Sequence, residues 1–238
     1  MKYTLVIAAY NEEENIGPLT SRIIGTLDGV QGVKWELIYV VEGTDATRSI
    51  VQSFADKRPE IRMIYTEAPS GLGSAFRRGF AAVPTDSDAV ITMDADLNHQ
   101  PEEIPRLAQC VYSRNADIVI GSRKVAGSVI EGAPMLKTAI SNFVNIVIRR
   151  VIGMPVADQT SGYRVYRYDA FRKISFENDG FAFLPEILLQ AHSLKLKMVE
   201  EPISFKFRVE GESKMKWGAT TRSYLTMLAS RFKKRKAR

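Results

Sequence analysis

Two aspartates carry the first chemical signal. Asp94 and Asp96 flank Ala95 where an apolar run, residues 89–93, gives way to the polar turn Leu97-Asn98-His99-Gln100 and then to Pro101-Glu102-Glu103. Side chains at i and i+2 of an extended segment project to one side, so the carboxylates converge while Ala95 turns away. Carboxylates this close repel each other unless positive charge lies between or beside them. Mg²⁺ or Mn²⁺ supplies that charge and brings phosphate oxygens into its coordination sphere. Asn98 can add an amide oxygen. The same residues also suit a solvated Asx-rich turn near a helix cap, and spacing alone leaves both readings open.

A strand ending at a cleft is needed to present such a pair, and the chain supplies several. Residues 3–9 form a continuous apolar run of the kind buried parallel strands show. Asn11 is placed to cap a following helix that has acids in its first turn and runs to about residue 27. Further strands are expected at 35–41, 61–65, 89–93 and 117–121. Helices are expected near 47–57, from Gly71-Leu72-Gly73 to about 82, and from Pro101 onward. Alternation of this kind specifies an α/β fold with an open, mostly parallel sheet flanked by helices. Ligands of such sheets bind at the carboxyl ends of the strands. The turns at Tyr10-Asn11-Glu12, 42–45, Gly71–Gly73, 94–98 and Ser122-Arg123 all fall there. After about residue 125 the pattern shifts to an amphipathic helix over 141–152, a polar loop over 157–164, a helix over 185–194 and a strand over 203–208.

The 238 residues carry 33 Lys and Arg against 27 Asp and Glu, a net charge of +6 that favours an anionic partner. Six of the last eight residues, 231–238, are Lys or Arg. A single cysteine, Cys110, excludes an internal disulfide framework and fits a reducing compartment. The start of the chain lacks the pattern of a signal peptide. No apolar run reaches the roughly 18–20 residues that span a bilayer. A cytoplasmic chain, soluble or peripheral on a membrane face, is the expectation. Nucleic acid is disfavoured as partner, because no recognition motif accompanies the basic tail. One continuous domain is expected, with one half over 1–125, a second half over 126–230 and the tail.

Six stretches, in this order, carry a family resemblance: VIAAYNEEENI (6–16), GLGSAFRRGF (71–80), MDADLNHQPEEIP (93–105), IGSR (120–123), DQTSGYRVYR (158–167) and RVEGESKMKW (208–217). Together they resemble the family 2 inverting glycosyltransferases of the GT-A fold, and within them the dolichol-phosphate and polyprenyl-phosphate mannose synthases. The resemblance implies a Rossmann-like nucleotide-sugar half plus acceptor-side helices. It also implies transfer of a hexose, with mannose from GDP-mannose favoured, onto a polyprenyl phosphate at a membrane surface. A separate membrane-anchoring partner is compatible with it. Ala9, Tyr10, Glu12, Glu42, Gly73, Asp94, Ala95 and Asp96 would line the nucleotide-sugar pocket. Asp94, Asp96 and Asn98 would hold Mg²⁺ or Mn²⁺. Arg123, Arg208, Ser213 and Lys214 would meet anionic groups of donor and acceptor, and Asp94, Asp96 and Arg123 would carry catalysis.

One stretch departs from the family pattern. The usual V-D-D-x-S-x-D-G-T after the second strand is here Val40-Val41-Glu42-Gly43-Thr44-Asp45-Ala46-Thr47, one residue shorter and with Glu for Asp. Glu42 is then expected to read the nucleobase edge from a retracted loop. Gly71 and Gly73 can admit a phosphate to a helix N-terminus or serve turn chemistry alone. The loop over 158–164, with its Asp, Gln, Thr, Ser and Arg, can shape the acceptor side, or Asp158 can simply cap. Glu186 suits a helix start whatever its role. His99 reads as a turn residue or support for the acid pair rather than a base, and His192 as a helix-surface residue. The helix over 143–152, with Arg149 and Arg150, and the tail over 231–238 are the expected membrane contacts. A different acceptor, a catalytically silent nucleotide-sugar-binding subunit, or a sugar nucleotidyltransferase are the competing readings. Intact Asp94 and Asp96 oppose the second, and the absence of a glycine- and basic-rich loop after the first strand opposes the third.

Overall fold

The computed structural model describes residues 1–132 and 153–207. Apolar alternation builds a seven-stranded sheet in the order β3-β2-β1-β4-β7-β5-β8. Strands β1 (Lys2–Tyr10), β2 (Lys34–Glu42), β3 (Ile61–Thr66) and β4 (Ala89–Thr92) pair in parallel. Strand β5 (Ile118–Ser122) pairs in parallel with β8 (Met198–Pro202). Strand β7 (Arg164–Arg167) runs antiparallel between β4 and β5. A two-stranded ribbon joins β6 (Val129–Glu131) to β9 (Ser204–Lys206).

Each face of the sheet buries one side-chain set. Leu5, Ile7, Leu37, Tyr39 and Ile91 pack under helices α1 (Glu13–Asp28), α2 (Thr47–Ala55) and α4 (Ile104–Ser113). Val6, Ile38, Val90, Ile118 and Ile120 face α3 (Leu72–Ala81) and α6 (Phe183–Ser193). A short helix α5 (Tyr168–Phe171) follows β7. Burial of each such Leu, Ile or Val contributes about 1.5–3 kcal/mol, so the sheet is the rigid base on which the loops sit. Strand β7, from beyond residue 125, pairs with both β4 and β5, so the two halves share one sheet.

Several local expectations change. Asn11 does not cap α1: it adopts φ 51°, and its Oδ1 accepts the Thr44 N–H at 3.1 Å. Glu12 takes the N-cap position instead. Pro101–Glu103 forms a 3₁₀ turn before α4 begins. The strand expected over 203–208 is β9, residues 204–206, and a further strand, β8, precedes it where none was expected. Strand β7 sits where a polar loop was expected to end. The helix over 141–152, Arg208, Ser213, Lys214 and the basic tail lie outside the described residues. Among the described residues no helix is long and apolar enough to cross a membrane.

Candidate active site

Parallel β1, β2 and β4 point their carboxyl ends to one edge of the sheet, and β5 ends on the same edge. Antiparallel β7 begins there, with Arg164 opposite Thr92 of β4 and Ile120 of β5. The topology therefore gathers Tyr10 and Glu12, Glu42, the Asp94–Asn98 turn, Arg123 and the loop over 158–163 at one place.

Ala95 is buried in the core while Asp94 and Asp96 stay partly open, as the i, i+2 argument requires. Asp96 accepts the Asn98 N–H at 3.1 Å and the Asn98 amide at 2.6 Å. The Thr92 hydroxyl donates to the Gly162 carbonyl at 2.7 Å, drawing the 158–163 loop against the end of β4. A Cβ on Gly162 would lie 2.5 Å from Asp94 Oδ1, so the acid pair and this loop meet where only glycine fits. Asp94 keeps 38 % of its side chain open to solvent. Its surroundings still penalise the charged form and push its pKa up to about 6; Arg123 and Arg164 pull against that push and Glu12 adds to it.

His99 is fully buried. Its Nδ1 accepts the Asp94 N–H at 3.3 Å, which puts the ring proton on Nε2. Its ring lies 5.0 Å from that of Tyr163 and 5.2 Å from that of Phe205. Burial lowers its pKa to about 4, so it is neutral and walled off at physiological pH. It supports the acid turn, as its position suggested. His192 is exposed near the end of α6.

The donor set suits a hard divalent cation completed by substrate. Asn98 Oδ1 is buried with no hydrogen-bond partner, an acceptor left over beside two carboxylates. Among the described residues no group of three or more His, Cys, Asp or Glu could hold a metal alone. Mg²⁺ characteristically takes one or two carboxylates and draws further ligands from water and phosphate. Asp94, Asp96 and Asn98 fit that role.

Arg123 follows β5, and Asp158 holds it in place. Its backbone N–H, Nε and Nη2 donate to the Asp158 carboxylate at 3.0, 2.7 and 2.8 Å, and Nη2 also reaches Thr160 Oγ1 at 3.0 Å. Its guanidinium carbon sits 5.0 Å from the centre of the Phe205 ring. Burial alone would raise the Asp158 pKa, but the Arg123 charge and hydrogen bonds overcome it and bring it down to about 2. Asp158 is thus more than a cap: it orients Arg123. Glu200 anchors the loop in turn, accepting the Ala157 and Asp158 N–H groups at 2.8 and 2.9 Å.

The remaining expected pocket residues divide. Tyr10 is exposed at the edge, and Glu12 accepts the Asn15 amide at 2.8 Å. Ala9 is buried, its side chain in the core rather than lining a pocket. Glu42 is 4 % exposed, and its Oε1 accepts the Ser70 hydroxyl at 2.6 Å and a hydrogen bond from Arg78. Glu42, at the end of β2, is thus tied to Ser70 just before α3 and to Arg78 within it. Gly73 differs from the expectation of a phosphate contact. Its N–H already donates to the Asp179 carbonyl at 2.7 Å, and a Cβ there would collide with the Asn178 carbonyl. Glycine is needed there to let residues 178–179 approach. The Glu186 carboxylate accepts the Glu177 and Asn178 N–H groups at 3.1 and 3.0 Å, steadying that same segment.

Motif reading places Arg164 and Gly162 in a loop on the acceptor side and assigns neither a role of its own. Both lie inside the DQTSGYR stretch, but nothing in their residue types separates a floor residue from a loop residue. Their importance comes from where β7 inserts.

The glycosyl transferase family 2 profile matches residues 4–175. The chain is 34 % identical to undecaprenyl-phosphate mannosyltransferase of Micrococcus luteus, over 92 % of this chain and 89 % of that protein. It is 36 % identical to dolichol-phosphate mannosyltransferase of Pyrococcus furiosus over 94 % of its own length, and spans 62 % of that relative. Polyprenol monophosphomannose synthase of Mycolicibacterium smegmatis is 30 % identical, with 89 % and 80 % covered. Among solved structures, glucosyl-3-phosphoglycerate synthase from Mycobacterium tuberculosis in complex with Mn²⁺, UDP-glucose and phosphoglyceric acid superposes with TM-score 0.73 at 20 % identity, covering 97 % of this chain and 79 % of that one. That likeness shows the shared fold. The mixed α/β sheet, the acid pair at its edge and the profile match agree: the chain belongs to glycosyl transferase family 2.

Proposed function

We propose that this chain transfers a hexose, mannose, from GDP-mannose to the phosphate of a polyprenyl monophosphate, with inversion at the sugar carbon. The observation that carries this reading is an edge holding Asp94, Asp96 and a fixed Arg123 while its histidine is buried and neutral. The names of the relatives point the same way. A phosphate monoester is substantially ionised near pH 7, its second pKa being about 6. Such an acceptor needs positioning rather than a general base.

The departing nucleoside diphosphate develops negative charge, and fixed cations aimed at that charge lower the barrier. Asp94, Asp96 and Asn98 would hold Mg²⁺ or Mn²⁺, which when bound neutralises charge on the departing phosphates; one related structure carries Mn²⁺ with UDP-glucose. Arg123 is pre-oriented by Asp158, so no side-chain ordering is needed as charge develops. Glu42, held by Ser70 and Arg78, would meet the base edge, and Tyr10 and Glu12 would border the same nucleotide. Arg208, Ser213 and Lys214, outside the described residues, would bind the acceptor phosphate, for which Arg offers bidentate geometry. A lipid acceptor places the protein peripherally on the cytoplasmic face of a membrane, by its own basic segments or through an anchoring partner.

A transfer assay tests the proposal. GDP-mannose, UDP-glucose and UDP-N-acetylglucosamine are offered with a short polyprenyl phosphate or with 3-phosphoglycerate, with and without Mn²⁺. Metal-dependent mannosylation of the lipid is expected. Sugar transfer to phosphoglycerate alone would replace the acceptor assignment, and no transfer from any donor would remove the enzymatic reading.

A further inference from the structure

Arg164 is a fully buried arginine. It begins β7 between Thr92 of β4 and Ile120 of β5, two residues short of Asp94 and three short of Arg123 on the flanking strands. Nε donates to Ser161 O at 2.9 Å, Nη1 to Leu184 O at 2.8 Å and Nη2 to Gln159 O at 2.9 Å. All three partners are carbonyls, and among the described residues no carboxylate forms an ion pair with it. Arg123 beside it is matched by Asp158. Hydrogen bonding is thereby satisfied at Arg164, while its charge has no contacting carboxylate and acts at a distance, Asp94 among the groups that feel it.

A buried charge without a contacting counter-ion is costly. A staple for the 158–163 loop needs donors, not charge. The retained charge needs another account, and its place supplies one: it lies beneath the edge where a polyanion would sit, shielded from the salt that screens surface cations. We propose that Arg164 is a positioning residue whose buried charge, acting without contact, holds the diphosphate of the donor over the Asp94–Asn98 turn. The proposal rests on the nucleotide-sugar reading of the same edge.

The test is titration calorimetry of the full chain with GDP, GMP and Mn²⁺, on wild type, Arg164→Lys and Arg164→Gln, alongside thermal melting. Both variants should melt lower, since both lose donors. Arg164→Lys should keep GDP affinity within about threefold. Arg164→Gln should lose at least tenfold for GDP and clearly less for GMP, because a field effect grows with ligand charge. Equal losses in the two variants, or equal losses for GDP and GMP, would make Arg164 a staple only. If Arg164→Gln does not fold, Arg164→Lys decides: a GDP-to-GMP affinity ratio matching wild type supports the charge role, and a reduced ratio overturns it. Absence of GDP binding by wild type would instead strike the functional proposal itself.

Discussion

Replacing Gly162 by alanine should displace the Asp94 carboxylate while leaving the fold intact. The added Cβ would stand 2.5 Å from Asp94 Oδ1, 3.3 Å from its Cγ and 3.5 Å from Oδ2, whereas ordinary contact begins near 3.4 Å. The oxygen must retreat by about 1 Å. Gly162 has no left-handed φ, so alanine adds no backbone strain there. Asp94 is short and 38 % open, so it can turn away toward solvent. An off-rotamer side chain costs about 0.5–1.5 kcal/mol, and Gly→Ala restores about 0.4–1 kcal/mol by restricting the unfolded chain. Net stability should change by about 1 kcal/mol or less, a Tm shift of roughly 2–4 °C for a chain this size. A misplacement of about 1 Å in a reacting constellation costs on the order of 100-fold. The assay pairs kcat/KM for hexose transfer with a thermal melt. Gly25→Ala, with nothing within 4 Å of its Cβ, is the control that should leave kcat/KM unchanged. A folded Gly162→Ala enzyme with kcat/KM within twofold of wild type would refute the placement of Asp94 in the reacting constellation.

Asp96→Asn should retain its melting temperature within a few degrees and lose transfer, checked by activity and circular dichroism. Asp94→Asn should be more stable than wild type at pH 7, by about 1 kcal/mol once solvent screening is allowed for, because it removes a carboxylate whose charge the cleft disfavours; Mn²⁺ should raise the Tm of wild type but not of this variant. Asp158→Asn should cost roughly 3 kcal/mol by leaving Arg123 unmatched. The Asp158 pKa falls to about 2 on folding, from about 3.9 when unfolded. Its contribution is therefore fully present above pH 4 and fades as pH falls toward 2, so acid melts of wild type and variant should converge in that window. Sedimentation with anionic vesicles should fall with added salt and weaken when residues 231–238 are removed.

The sequence carried some layers of this structure and hid others. Strands β1 to β5 were legible because continuous or alternating apolar runs leave few alternatives, and the acid pair because it interrupts one of them. Strand β7 was not. Arg164-Val165-Tyr166-Arg167 has a charge at each end, and only the tertiary position of Arg164, with carbonyls around it, turns a loop-like tetrapeptide into a central strand. Strand β8 hides for a similar reason: Met198-Val199-Glu200-Glu201-Pro202 carries two acids, one of which anchors the 158 loop. Asn11 and Gly73 were misread because cap and phosphate-loop patterns describe local chemistry. In both cases a distant partner, the Thr44 N–H or the Asp179 carbonyl, took the group first. The pairing of Arg123 with Asp158 spans 35 residues, a contact that no local pattern announces.

The most direct test of the central claim is the anomeric configuration of the product. Purified protein, α-linked GDP-mannose, a short polyprenyl phosphate and Mn²⁺ are incubated, and the lipid fraction is read by mass spectrometry and NMR. A single added hexose, β-linked to the phosphate and absent in excess chelator, is the expected result. An α-linked product, a hexose attached elsewhere than the phosphate, or full activity in chelator would contradict the account built on Asp94, Asp96 and Arg123.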